Sequence, residues 1–315
     1  MPMIVTLLFV TIVGIIALSG ECNTLIFQGK GIITGWGIPM IENPTVGVLI
    51  NGIVILLIAS IVTIFTSLFK MVKEKTLLPL LFFLLFQLLT PQTINSFNPA
   101  YITTLIAMLL VGALYTCYQN NQAVEKGFLI GIIISATSFI DAHILYLIPI
   151  LIVGFVQMQA SSLRTYAAML VGLITPYWII GGLGLIELSQ IDFTVLAISP
   201  QMPSISIYTL PVAIVMLMGF VIGIGNMYNA LNEKIYTRAT NGFINILSTY
   251  IAILLIIDNV HCWQYWPLLN GCVALQASYF FSIHTKRTSI LTFYILTTLI
   301  LAWVCWMQWG NYPLL

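Results

Sequence analysis

Long apolar runs alternate with short polar gaps along the chain. Hydrophobic residues make up 60% of the sequence, and only 6% of the residues are charged. Since a helix needs roughly 20 mostly apolar residues to cross about 30 Å of hydrocarbon, the pattern predicts an all-α, polytopic transmembrane helical bundle of about eleven spans. We expect one integral membrane domain over residues 1–315. The predicted spans are residues 3–19, 46–69, 76–90, 99–118, 127–140, 144–158, 165–182, 208–229, 241–257, 262–283 and 288–308.

The few charges predict which side of the membrane each gap faces. Loops on the cytoplasmic side of membrane proteins are enriched in Lys and Arg. With the N-terminus inside and the C-terminus outside, Lys30 is the only Lys or Arg residue that falls on the outer side. The inner gaps then hold Lys70, Lys73, Lys75, Glu74, Glu125, Lys126, Arg164, Glu233, Lys234, Arg238, Lys286 and Arg287. The outer gaps hold Glu21, Glu42, Asp141, Glu187, Asp192 and Asp258. We therefore expect a multi-pass protein of the cell inner membrane.

Residues 127–158 could form one tilted span or two short ones. One span would place Lys234, Arg238, Lys286 and Arg287 outside, against the Lys/Arg bias. Two spans are therefore favoured, each of about 21 Å at 1.5 Å per residue. The connecting tip, Asp141-Ala142-His143, is then expected to fall short of the outer hydrocarbon edge, where a charge must face protein or water.

Candidate chemistry is confined to the predicted outer face. Glu21 follows the first span, and its carboxylate could accept a proton or, with Asp141, hold a divalent cation. Asp141 with His143, and Asp258 with His261, each place a carboxylate beside an imidazole. A plain helix cap is the alternative for both pairs, and the sequence leaves it open.

The tryptophans and glycines allow two interpretations each. Every tryptophan, Trp178 included, falls in the outer half of the predicted topology. An interfacial aromatic belt explains most of them, and an outer cavity whose rings contact a sugar or an isoprenoid chain is the alternative. The pairs Gly127/Gly131 and Gly219/Gly223 have the spacing that lets membrane helices approach closely; a functional hinge is the other interpretation.

The stretch from Phe97 to Gly182 carries a resemblance to a known family. Its motifs are Asn98-Pro99-Ala100, Gly127-Phe128-Leu129-Ile130-Gly131, Ile148-Pro149-Ile150 and Gly172-Leu173-Ile174-Thr175-Pro176-Tyr177. This stretch resembles an uncharacterised polytopic inner-membrane protein family of Bacteroidota, which implies a location but no established activity. The layout is more distantly similar to GT-C class membrane glycosyltransferases, which use an acidic residue of the first outer loop on lipid-linked sugars. That similarity implies a catalytic role for Glu21, with Glu42 as the second candidate.

Three classes of function follow from these observations. The first is an outward-facing transferase that acts on a lipid-linked glycan, with Glu21, Asp141 and His143 as catalytic residues and Glu42, Trp178, Asp258 and His261 near the substrate. The second is a non-catalytic membrane subunit of an envelope assembly. The third is a transporter, which the almost charge-free span interiors disfavour. The expected partners are the lipid bilayer and an isoprenoid-linked sugar, and the net charge of +1 argues against nucleic acid.

Overall fold

The computed structural model describes most of the predicted spans. It covers residues 11, 30–33, 43–71, 76–95, 97–120, 123–185, 190–198, 209–230, 233–283 and 287–309. The predicted first span, apart from Thr11, lies outside the described residues. So do the candidate acids Glu21 and Glu42.

The described chain is helical, with one isolated β-bridge between Ile33 and Ile191. The principal helices are α1 (Pro44–Leu68), α2 (Leu78–Leu88), α3 (Ala100–Tyr115), α4 (Val124–Ser138), α5 (Ile148–Gln157), α6 (Leu163–Gly182), α7 (Leu210–Ala230), α8 (Ile235–Ile257), α9 (Cys262–Ile283) and α10 (Arg287–Trp309). A single helical turn, Gln92–Asn95, precedes α3. Short 3₁₀ segments lie at Ala142–Leu147, Phe193–Leu196 and Asn259–His261. The predicted all-α class is confirmed.

Four described helices are long and apolar enough to cross a membrane. They are Thr45–Leu68, Leu163–Gly182, Leu210–Ala230 and Ile235–Ile257. Apolar side chains remain exposed on their outer surfaces, as Leu217, Phe220 and Val221 do on α7. A continuous apolar surface of this kind is typical of helices that face lipid. Length, composition and exposure together indicate a membrane protein.

Helix α9 is the central helix of the bundle. Every residue from 265 to 279 is buried, and α2, α3, α7 and α8 pack around this helix. A helix that is enclosed on all sides exposes no face to its surroundings. The first turn of α9 therefore holds a fixed position at one end of the bundle.

Helices α4 and α6 are held together by glycines. A Cβ atom added to Gly127 would lie 2.7 Å from the carbonyl oxygen of Thr165. One added to Gly131 would collide with the carbonyl oxygen of Met169, and one added to Gly172 with that of Phe128. The backbones approach as closely as glycine alone permits, so the packing interpretation of Gly127/Gly131 agrees with the structure.

Gaps that the charge pattern assigns to the outer side meet at one end of the bundle. The amide of Ala142 donates to the carbonyl oxygen of Lys30 at 3.0 Å, and the amide of Ile32 donates to Ser138 at 3.0 Å. The amide of Asp192 donates to the carbonyl oxygen of Ile32 at 2.8 Å. Residues 30–33 of the first predicted outer loop therefore lie between the Asp141 tip and the loop at Asp192.

Gaps assigned to the inner side meet at the opposite end. The amide of Gln119 donates to the carbonyl oxygen of Met158 at 2.9 Å. The side-chain amide of Asn241 donates to the carbonyl oxygen of Met71 at 3.3 Å. Residues 124–157 thus form two short helical segments that turn at Asp141, in agreement with the hairpin rather than the single tilted span.

Candidate functional site

Two interhelical turns build the candidate site. The first turn links α4 to the 3₁₀ segment that leads into α5, and it carries Asp141 and His143. The second turn links α8 to α9 and carries Asp258 and His261. Cys262 and Tyr265, the buried residues of the first turn of α9, fix the second pair, and the α4–α6 packing fixes the first.

Asp141 is both a helix cap and the partner of an imidazole. Its Oδ1 accepts the backbone amide of His143 at 3.1 Å, which caps the 3₁₀ segment. The same oxygen lies 2.9 Å from Nδ1 of the His143 ring. Both side chains are buried, with 1% of Asp141 and 5% of His143 exposed. The cap interpretation is therefore correct but incomplete, because the cap also sets the orientation of a buried imidazole.

The second pair is a side-chain network rather than a cap. Oδ1 of Asp258 lies 2.9 Å from Nδ1 of His261, and the Tyr265 hydroxyl donates to Oδ2 at 3.1 Å. The Asp258 side chain makes no capping bond to the helix backbone. Asp258 is buried, while the side chain of His261 is 30% exposed. His261 is therefore the member of the cluster that is open to the surroundings.

The two pairs meet through their imidazole rings. The ring centroids of His143 and His261 are 4.5 Å apart, with the planes inclined by 46°. Tyr265 packs against His143 at 6.1 Å between ring centroids, and so does Tyr146. Each carboxylate holds an Nδ1 atom. Within the described part of the chain, neither Nε2 atom forms a hydrogen bond, and a neutral imidazole nitrogen of this kind can accept a proton or bind a ligand.

A small cavity adjoins this cluster. It is lined by Asp141, His143, Tyr265, Thr104 and Gln264, among others, and its volume is about 20 Å³. That volume accommodates about one water molecule. Oγ1 of Thr104 and Oε1 of Gln264 are buried and have no hydrogen-bond partner among the described residues. These orphaned oxygens make the cavity polar enough to hold a water.

The remaining predicted site residues are placed only in part. Glu21 and Glu42 lie outside the described residues, so the expected approach of Glu21 to Asp141 stays a prediction. Lys30 of the same predicted loop does contact the tip, through Ala142. Trp178 is 78% exposed on α6 near exposed Ile174 and Ile179, a position suited to lipid or to a lipid-borne ligand.

Sequence reasoning missed the residues that complete the site. Tyr265 follows His261 by four positions and Asp258 by seven, a helical spacing that could have identified it. Thr104 and Gln264 carry no such signal, because hydroxyl and amide residues are common near the ends of predicted spans. The meeting of the two Asp–His pairs was also not predicted.

Another carboxylate at this end of the bundle provides a reference for Asp141. Asp192 caps the 3₁₀ segment Phe193–Leu196 and accepts bonds from the Thr194 hydroxyl at 2.6 Å and the Thr194 amide at 2.8 Å. These bonds lower the pKa of Asp192 from its ordinary value. Asp192 thus caps a 3₁₀ segment as Asp141 does, but it lies at the surface and has no imidazole partner among the described residues.

No family model matches the chain, and no curated protein or solved structure matches it either. The resemblances of the Phe97–Gly182 stretch therefore stay predictions.

Proposed function

We propose that the protein is a cell inner-membrane protein of about eleven spans, with its N-terminus inside and its C-terminus outside. It acts as a GT-C-like transferase on a lipid-linked glycan at the outer face. The observation that carries the proposal is the convergence of two Asp–His pairs, each with a buried carboxylate, at the end of the bundle that the charge pattern assigns to the outside.

The proposed orientation is supported by the way the gaps sort between the two ends. Gaps with acidic residues, at Asp141, Asp192 and near Lys30, touch one another. Gaps rich in Lys and Arg meet at the other end. One of these gaps begins at Lys70 and another ends at Arg238, and the Thr237 hydroxyl donates to the carbonyl oxygen of Lys70 at 3.4 Å. A protein that obeys the positive-inside rule exposes the acidic end to the outside.

The first pair can act as the base of a glycosyl transfer. When Nδ1 of His143 donates to Asp141, its Nε2 carries no proton and can accept one from the acceptor hydroxyl. The acceptor oxygen then forms a bond to the anomeric carbon of the sugar. The bond from that carbon to the phosphate oxygen breaks, and its electron pair leaves with the phosphate. Asp141 orients the ring and stabilises the imidazolium that results.

The second pair can hold the departing phosphate. His261 is the more exposed ring and can approach a headgroup that enters from the surroundings. In its protonated form it donates to phosphate oxygens, and Asp258 balances its charge. Two imidazoles held by separate carboxylates can therefore perform two separate roles.

One observation favours the alternative, a non-catalytic membrane subunit. The cavity beside Asp141 has room for about one water molecule and not for a sugar. A subunit of an envelope assembly would need the two pairs only to join its turns. The transferase requires the substrate to approach from the His261 side.

A transfer assay separates these functions. The full chain, reconstituted in lipid vesicles, is incubated with a radiolabelled isoprenoid phosphate-linked sugar and with extracted envelope glycans as acceptors. Label should move from the lipid phase to the acceptors, and His143→Asn should slow this transfer by about 100-fold or more, the usual contribution of a general base.

The matched control is Asp192→Asn, which alters a similar cap without touching an imidazole. It should leave the transfer rate unchanged. Failure of the wild-type chain to move label from any isoprenoid-linked sugar would favour the non-catalytic subunit.

A further inference from the structure

We propose that His143, His261 and Asp258 form a binding site for one divalent transition-metal ion of the Zn²⁺ class. The inference rests on the geometry of the cluster and not on the proposed transferase. A His143 nitrogen that binds the ion is not available as a base, so the role of His143 as a base belongs to the ion-free chain. Such an ion would join the turn between α4 and α5 to the turn between α8 and α9.

The ligand atoms are close enough for one ion. One potential ligand atom from each of the three residues lies within 4.8 Å of the other two. In a tetrahedral zinc site with bonds of about 2.1 Å, ligand atoms are about 3.4 Å apart. The three atoms therefore need to approach by at most about 1.4 Å. Rotation of the His261 side chain, which is only partly buried, can supply much of that movement. The ion then replaces the hydrogen bond between Nδ1 of His261 and Oδ1 of Asp258.

The set of donor atoms selects the class of metal. Two imidazole nitrogens and one carboxylate oxygen are typical ligands of Zn²⁺ and related transition metals. Ca²⁺ and Mg²⁺ prefer sites built from oxygen atoms alone. The sequence-based expectation of a cation held by Glu21 and Asp141 is a different site, with oxygen ligands only.

The surroundings of the ligands match those of known metal sites. Histidines that bind metals almost always donate their second ring nitrogen to a carboxylate or a carbonyl, which fixes the ring. Asp141 is placed to do this for His143. The Tyr265 hydroxyl bonds to Oδ2 of Asp258 and so restrains the carboxylate ligand. A water in the cavity that His143 lines can supply a further ligand.

A metal also accounts for the two facing rings. Neither Nε2 atom has a hydrogen-bond partner within the described residues. One ion held by both imidazoles and by Asp258 gives the facing rings a shared partner, and the carboxylates of Asp141 and Asp258 balance its charge.

A metal titration without substrate tests the inference. The full chain is purified in detergent, stripped with a chelator, returned to chelator-free buffer and titrated with Zn²⁺ in a calorimeter. We expect one ion per chain. His143→Asn and His261→Asn should each weaken binding by at least about 100-fold, and Asp141→Asn by about 10- to 100-fold through loss of the restraint on His143.

Two variants serve as controls. Asp192→Asn removes a carboxylate that caps a 3₁₀ segment as Asp141 does, and His284→Asn removes the chain's other histidine, which lies outside the described residues. Neither should change the affinity. Unchanged affinity in His143→Asn and His261→Asn, or a wild-type chain that binds no Zn²⁺, would overturn the inference.

Co²⁺ provides a measurement that requires no variant to fold. Bound to the wild-type chain, Co²⁺ should give the intense visible absorption of a four- or five-coordinate site. The weak absorption of octahedral Co²⁺ would overturn the inference. Because both readings are made without a glycan, they can fail while the transfer assay succeeds, and the reverse also holds.

Discussion

The imidazole rings of His143 and His261 lie 4.5 Å apart between centroids, although they come from turns in different halves of the chain. Two features of the fold produce this contact. The short helices α4 and α5 turn back at Asp141, and the buried helix α9 begins beside His261. A pair of buried carboxylates at one point of an apolar bundle is costly unless each is hydrogen-bonded. The hydrogen bonds of Asp141 and Asp258 meet that requirement.

The hydrogen bond from Tyr265 to Asp258 should stabilise this end of the bundle. Tyr265→Phe removes the hydroxyl that donates to the buried Oδ2. We expect the free energy of unfolding to fall by about 1.5–3 kcal/mol, the usual range for a bond to a charged group. Denaturant unfolding in detergent micelles, followed by tryptophan fluorescence, measures the change.

The control for this variant is Tyr228→Phe, because Tyr228 is 73% exposed on α7. It should change the stability by less than about 0.5 kcal/mol. If the Tyr265 variant were as stable as the wild type, the hydrogen bond to Asp258 would contribute nothing to the free energy of unfolding.

The helices could largely be predicted from the sequence, because long apolar runs have few other structures available in a membrane. The predicted span 241–257 begins too late, however, since α8 starts at Ile235. Thr237 and Thr240 interrupt the apolar run before residue 241, yet both are buried, and the Thr237 hydroxyl donates to the carbonyl oxygen of Lys70. A local pattern cannot reveal such partners.

The candidate site could be predicted only in pieces. Each Asp–His pair is local in sequence, so the sequence predicts each pair as a unit. The contact between the pairs depends on how α9 packs among distant helices, and apolar spans specify this packing only weakly. The Tyr265 hydroxyl enters the site through the same packing. The role of Glu21 stays a prediction.

The close contact between α4 and α6 should not tolerate a side chain at Gly131. In Gly131→Ala the new Cβ would collide with the backbone carbonyl of Met169, and a backbone atom cannot rotate away. We expect a loss of about 1–3 kcal/mol, as for other overpacked contacts. Gly172→Ala should behave in the same way, because its Cβ would meet the carbonyl oxygen of Phe128.

Gly182→Ala is the matched control on α6. A Cβ at this position has nothing within 4 Å, so the change should be neutral or stabilising by up to about 1 kcal/mol through helix propensity. Unfolding in detergent compares the variants. If Gly131→Ala were as stable as Gly182→Ala, the two helices would be more loosely packed than the structure shows.

The proposed orientation predicts which positions a membrane-impermeant reagent can reach. Cysteines introduced at Asn120 and Ser161 should not react with an impermeant maleimide added to intact spheroplasts, because both gaps are predicted to face the cytoplasm. A cysteine at Asp192 should react. After the membrane is permeabilised, all three should be labelled, and the wild-type chain gives the background of its own cysteines. Labelling at Asn120 in intact spheroplasts would reverse the orientation.

A cluster of amides should hold α7, α8 and α9 together within the apolar bundle. The Gln276 side-chain amide donates to Oδ1 of Asn245 at 2.9 Å and to Oγ of Ser248 at 2.6 Å. Side-chain hydrogen bonds between membrane helices contribute about 0.6 kcal/mol on average and up to about 1.7 kcal/mol. A double-mutant cycle of Gln276→Leu and Asn245→Leu should therefore give a coupling of about 1 kcal/mol in detergent unfolding.

Asn226 supplies the control cycle for this coupling. Its side-chain amide donates to the backbone carbonyl of Gln276 at 2.9 Å, a bond that survives replacement of the Gln276 side chain. Gln276→Leu and Asn226→Leu should therefore be nearly additive, within about 0.5 kcal/mol. A coupling as large as that between Gln276 and Asn245 would mean that the amides act through general packing of the three helices rather than through their hydrogen bonds.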